Sequence, residues 1–125
     1  MLRKAIGHRL WAVPDGYIPG QSNGPAEMVS HETVSVLNTG DQDAHLEITL
    51  YFGDRDPAGP YRQTVPARRT RHIRLNTLEG PGPLPPATDY SYIVESDVPV
   101  VVQHARVDSR QAENALGLVM AFPIP

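Results

Sequence analysis

The sequence predicts an all-β protein, an antiparallel β-sandwich of about eight short strands with one short helix or turn near the C-terminal end. Three observations carry this. Thirteen prolines in 125 residues is roughly double the usual frequency of about 5%, a density that breaks long helices and confines strands to short runs between stiff loops. Apolar residues alternate with polar ones in several segments, the period of a half-buried strand. Turn signals rich in Gly, Pro, Asn and Asp separate those segments at the spacing of a sandwich or barrel.

Taken in order, His8 to Val13 forms a first short strand, with Leu10 and Ala12 against Arg9, Trp11 and Val13. Pro14 to Ser30 is a long connection carrying Tyr17 and Ile18, apolar enough to fold down as an ordered flap. His31 to Asn38 is the second strand, with Glu32, Val34 and Val36 on one face. Glu32 is then either an acid reaching water at the sheet edge or a carboxylate inside a pocket, where it needs partners. After the turn Thr39 to Asp43, Ala44 to Phe52 has the cleanest alternation: Leu46, Ile48, Leu50 and Phe52 in, His45, Glu47, Thr49 and Tyr51 out. It is expected to pair with the preceding strand as a hairpin. A second hairpin is expected from Tyr61 to Val65 and Thr70 to Leu75 around Pro66 to Arg69. Asn76 to Asp89 is a proline-stiffened loop. Tyr90 to Glu95 is a strand, Ser96-Asp97 a turn, and Leu118 to Phe122 the last strand.

The chain is organised around Val98 to Ala115, which opens as its most apolar run. Alternation puts Val98, Val100, Val102, His104 and Arg106 on one side and Pro99, Val101, Gln103, Ala105 and Val107 on the other. Both sides begin apolar, the mark of a central strand covered on both faces. One face then turns to His104 and Arg106, and Asp108 and Gln111 have the spacing of an N-cap and N3 residue, so a short helix is expected there. An imidazole, a guanidinium and a carboxylate gathered at one strand end beside an apolar wall have the composition of a binding pocket.

Composition restricts the function. At 125 residues, 40% of them apolar, the chain reads as one domain spanning 1–125, and folding buries roughly two-thirds of its unfolded surface. It has no cysteine, which removes disulfides, thiolate-metal sites and cysteine nucleophiles and suits a reducing cytoplasm. There is neither a signal-peptide pattern nor an apolar run near the roughly 18 residues of a membrane span, so a soluble cytoplasmic protein is expected. The five histidines show no metal-ligand spacing, no serine has a nucleophile context, and phosphate and dinucleotide loops are absent. Neither an enzyme nor a cofactor or metal is expected. Five arginines (Arg62, Arg68, Arg69, Arg71, Arg74) tempt a nucleic-acid reading. Against it stand a net charge of −3, five preceding acids able to pair with them, and the scarcity of interleaved aromatics. Trp11 reads as core or interface before ligand platform.

Five segments, WAVPDGYIP from Trp11, SHETV from Ser30, Asn38 to Ala44, PARRT from Pro66 and VQHARVDSRQAENAL from Val102, resemble the Anabaena sensory rhodopsin transducer family, as do GPYR and VPARRT within the same order. The resemblance implies a small soluble β-sandwich assembling as a homotetramer. It further implies a signalling adaptor for a membrane rhodopsin, a small-molecule (sugar-like) binding domain without one, or, third, a DNA-binding regulator. Carried onto this chain, its polar motif positions are His31, Glu32, Arg68, Arg69, Gln103, His104, Arg106, Asp108, Ser109 and Arg110. Glu32, His104, Arg106 and Asp108, with His31, Gln103 and Arg110, are the candidate ligand-binding groups, with Trp11 or Tyr17 as apolar wall. Arg68 and Arg69 are the candidate nucleic-acid or partner contacts. A buried salt-bridge network or a subunit interface would use the same groups equally well, and Arg106 with Asp108 is the first expected pair.

Overall fold

The computed structural model describes residues 4–20, 30–78, 80–110 and 115–125, of Ala115 the backbone alone. The strands are β1 (His8–Tyr17), β2 (His31–Asn38), β3 (Ala44–Phe52), β4 (Ala58–Val65), β5 (Arg69–Arg74), β6 (Asp89–Asp108), β7 (Ala115–Met120) and β8 (Phe122–Ile124), and a 3-10 turn covers Leu75–Thr77. All strand pairs are antiparallel. The all-β prediction holds, and β2 and β3 have the predicted bounds.

β6 is the element that makes a sandwich of them. Its first half lies between β3 and β1, in the order β4-β3-β6-β1-β8, and its second half lies between β2 and β7, with β5 beyond β2. One strand of 20 residues therefore serves both layers. The expected turn at Ser96-Asp97 is not there. Asp97 points outward and accepts from the His45 backbone N–H at 2.8 Å and pairs with its ring at 2.7 Å, so the polar pair decorates a strand instead of ending one. Even-numbered residues face the core along the whole length: Tyr90, Tyr92 and Val94 in one layer, Val100, Val102 and His104 in the other. Odd-numbered Val101, Gln103 and Ala105 are half-buried, so the second half is covered fully on one face only.

Neither predicted hairpin forms. β2 pairs with β5 and β6, whereas β3 pairs with β4 and β6, so the short β2–β3 and β4–β5 connections cross from one layer to the other. The fully buried Asn38 ties both crossings together: its Nδ2 donates to the carbonyls of Gln42 (2.8 Å), Val65 (3.1 Å) and Pro66 (3.3 Å), and its Oδ1 accepts from Gly40 N (3.1 Å). A buried amide saturated in this way stabilises both crossings, because the carbonyls it satisfies would otherwise lack a donor.

β1 continues past Pro14 to Tyr17, with a register irregularity between Val13 and Gly16. The flap expected from Pro14 to Ser30 thus begins as strand, and its residues 21–29 lie outside the described ones. The helix expected from Asp108 and Gln111 falls on 111–114 and also lies outside them; Asp108 Oδ1 accepts from Arg110 N at 3.2 Å. The proline loop packs down through buried Leu78 and Leu84, and the Tyr61 hydroxyl donates to Gly82 O at 2.7 Å. The predicted last strand is two short ones, β7 and β8, split at buried Ala121.

Candidate functional site

Cross-strand register assembles the site. Glu32 on β2 is opposite Arg106 on β6, and Val34 is opposite His104. Both pairs face the interior, where the other half of β6 presents Tyr90 and Tyr92. The Glu32 side chain has no exposed surface. Its Oε2 accepts from Arg106 Nε, and its Oε1 accepts from the Tyr90 hydroxyl and, at 3.0 Å, from the Tyr17 backbone N–H. His104 Nε2 stands 3.7 Å from Oε1, too far for a hydrogen bond, while His104 Nδ1 bonds the Tyr92 hydroxyl at 2.7 Å. The rings of Tyr90 and Tyr92 stack at 6.2 Å between centroids.

Gly16 makes room for this. A Cβ there would lie 2.4 Å from Tyr90 Cζ, so only glycine lets the ring pass over β1 to reach Glu32. A further set of bonds fixes the strand ends: Glu32 N donates to Asn76 Oδ1 (3.1 Å), Asn76 Nδ2 to Ser30 O (3.1 Å), and Ser109 N to Ser30 Oγ (2.9 Å).

The electrostatics follow from these contacts. Burial pushes the Glu32 carboxyl up, but the nearby His104 ring and the bonds from Tyr90 and Arg106 more than offset it and hold the pKa below the ordinary 4.5. Burial, then the charge of Glu32, drives the hydroxyls of Tyr90 and Tyr92 far above their usual range. Arg106 is opposed by burial and raised on balance by Glu32. Glu32 is thus held ionised and Tyr90 and Arg106 held protonated. The arrangement locks charge states in place instead of poising a proton for transfer.

Of the sequence candidates, Glu32, His104 and Arg106 come together. Arg106 does not pair with Asp108 as expected: its ion pairs are with Glu32 and, at 3.6 Å, with Asp15. Asp108 instead holds Arg110, Nη2 to Oδ2 at 2.6 Å, while Arg106 is taken by Glu32, its directly opposite cross-strand neighbour. The Arg110 guanidinium also lies over the Tyr17 ring at 5.9 Å, and Tyr17 joins the site through its backbone amide. Trp11 is core, its indole N–H shared between His8 O and Val100 O at 3.0 Å each. His31 and Gln103 sit on the opposite face of the β2–β6 layer and are not brought to Glu32. Arg68 and Arg69 are exposed; Arg68 is 3.8 Å from Asp41 and Arg69 bonds the Arg68 carbonyl. Sequence reasoning missed Tyr90, Tyr92, Asp15, Gly16 and Asn76. The tyrosines carried a signal, since they share the parity of His104 and Arg106.

Beside His104 and Arg106 a groove of ≈ 460 Å³ opens between β1 and the β7–β8 ribbon. Val119, Leu118, Met120 and Phe122 stand more than half exposed along that ribbon. Among the described residues no three His, Cys, Asp or Glu side chains are placed to hold a metal ion, and no helix is long and apolar enough to cross a membrane.

A strand-shared sandwich around a buried carboxylate, with an apolar rim, defines a small all-β module. The chain belongs to the Anabaena sensory rhodopsin transducer family, whose model matches residues 6–123. The solved Anabaena sensory rhodopsin transducer is 55% identical with a TM-score of 0.75, over 81% of this chain and 98% of that one. The crystal structure of Thermotoga maritima 1070 is 34% identical with a TM-score of 0.84, over 94% and 96%. No curated protein matches the chain.

Proposed function

We propose that this chain is a soluble, cytoplasmic, non-enzymatic signal-transduction adaptor, a single domain that relays the state of a membrane sensory rhodopsin and acts as a homotetramer. The observation that carries this reading is the family match across residues 6–123, with a 55% identical relative that is itself a sensory rhodopsin transducer. The Glu32 network supports it, since a buried carboxylate bonded by Tyr17, Tyr90 and Arg106 suits a structural lock better than a catalytic base. The exposed apolar residues of β7 and β8 offer surface for subunit or partner contacts. The test is to titrate the full chain into a sensory rhodopsin in lipid nanodiscs, dark and illuminated. Saturable binding that differs between the two supports the relay. Absence of binding in both states would remove it.

A second reading, a small-molecule sensor, rests on the groove beside His104 and Arg106. A thermal-shift screen against metabolites at fixed protein concentration checks it, because a ligand at a hundred times its Kd adds about 2.7 kcal/mol. DNA binding, through Arg68 and Arg69, is the weakest reading, as Arg68 already faces Asp41; an affinity that collapses with salt would restore it.

A further inference from the structure

The groove has an amphipathic lining. Its walls include Val13, Val119 and Phe122, and its polar groups are Asp15, His104 and Arg106. Two of these have bonding capacity left over. His104 is 3% exposed, yet its Nε2 has no hydrogen-bond partner among the described residues, a costly state for a buried polar atom. Arg106 gives its Nε to Glu32, while among the described residues its outer edge meets only Asp15, at 3.6 Å through Nη2. Guanidinium carries five N–H donors in a fixed fork suited to a carboxylate, so an ion pair at that distance leaves the fork largely unused.

Asp15 shows what belongs there. It sits at the irregularity in β1 between Val13 and Gly16, the kind of bulge that re-aims a side chain. It is 84% exposed, so its hold on Arg106 is screened and weak. The site therefore already places a carboxylate, loosely, on the far side of Arg106 from Glu32.

We propose that this groove binds a small amphipathic carboxylate, an alkanoic or aryl-alkanoic acid. Its carboxylate takes the place of Asp15 on the outer edge of Arg106, beside the wall that includes His104, and its apolar body lies along Val13, Val119 and Phe122. The proposal rests on the small-molecule reading and adds the class of ligand. Entry displaces Asp15, because both carboxylates seek the same outer edge of Arg106.

The test is calorimetric titration of the full chain with sodium octanoate and, as its uncharged counterpart, 1-octanol, at constant ionic strength. Octanoate is expected to bind at one site per chain, about tenfold tighter than the alcohol, the difference between a charged and a neutral hydrogen-bonded head. Asp15→Asn, at an exposed position, is expected to tighten octanoate severalfold and leave the alcohol unchanged. Val119→Glu, likewise exposed, is expected to abolish octanoate binding. Arg106→Gln should erase the preference for the acid; if it fails to fold, the other two variants still decide. Equal affinity for acid and alcohol, unmoved by Asp15→Asn, would overturn the carboxylate assignment and leave a sensor for neutral ligands standing. Octanoate binding that survives Val119→Glu would overturn the location. Binding of neither probe here, with hits among other metabolites in the thermal-shift screen, would overturn the ligand class alone; no hit in either would take the small-molecule reading with it.

Discussion

Glu32 and Arg106 face each other across β2 and β6, one side chain wholly buried and the other 34% exposed. The pair therefore has an inside and an outside. Glu32 gathers Tyr17, Tyr90 and Arg106 within the sandwich, and the far edge of Arg106 looks out past Asp15 to the groove. Anything that engages that edge acts on a network that spans both layers, since Tyr90 belongs to the first half of β6 and Arg106 to the second.

The asymmetry sets the order of two mutational costs. Arg106→Met leaves a carboxylate uncompensated in the core, whereas Glu32→Gln leaves a guanidinium that reaches water. Breaking a buried pair costs about 3–5 kcal/mol; Arg106→Met should fall in that range and Glu32→Gln should cost on the order of half as much. Urea midpoints at pH 7 measure both, and equal or reversed costs would contradict the geometry.

Stability should fall in acid, and Glu32 should be a main reason. Its folded pKa is held below the ordinary 4.5, so the unfolded chain binds that proton more readily. The contribution is fully present above the unfolded value and is lost as pH drops through the folded one. Asp108, beside Arg110, and Asp97, against the His45 amide and ring, are lowered too and act in the same direction. Glu32→Gln should therefore flatten the slope of unfolding free energy against pH below about 4.5 without abolishing it. An unchanged slope would show that Glu32 is not depressed.

Gly16 and Tyr90 should couple. Gly16→Ala drives a methyl into the Tyr90 ring and should cost about 1–3 kcal/mol, as overpacking does. In Tyr90→Phe the hydroxyl bond is already gone, so part of the Gly16→Ala cost, that due to the lost Tyr90–Glu32 bond, should vanish. A double-mutant cycle with a coupling of at least about 0.5 kcal/mol is expected; strict additivity would mean that the ring moves without disturbing Glu32.

Assembly is open to a separate check. Leu116, Leu118 and Met120 stand exposed on β7 beside half-buried Val101 and Val107 of β6, an apolar strip on the outside of the β2–β6 layer. Light scattering at micromolar concentration should give a tetramer mass for the unaltered chain and a smaller one for Leu118→Glu. A monomeric mass for the unaltered chain would contradict the tetramer, and an undisturbed tetramer in Leu118→Glu would move the interface elsewhere.

Much of the site was readable from alternation. Parity alone put Glu32 with Val34 and Val36, and His104 with Arg106, because successive residues of a strand take opposite faces whatever the partner. The same parity runs unbroken from Tyr90 to Arg106, and reading it through Ser96-Asp97 would have joined the tyrosines to the site. A polar dipeptide looked like a turn because turn signals are compositional, and an outward Asp bonded to His45 has the same composition. Asp15 carried no such signal. It reaches Arg106 from a bulge, and register irregularities are set by the neighbouring strand.

The sequence by itself determined the all-β class, the bounds of β2 and β3, the inward parity and the family, since these rest on local periodicity and on motifs that survive without a partner. Tertiary structure alone decided which strands pair, that β6 serves two layers, and that Arg106 bonds Glu32 in place of Asp108. The physical reason is that hydrogen-bond registry and charge pairing depend on distances between residues such as Glu32 and Arg106, 74 positions apart in the chain. Those distances exist only once Asn38 has turned both crossings and the layers have closed.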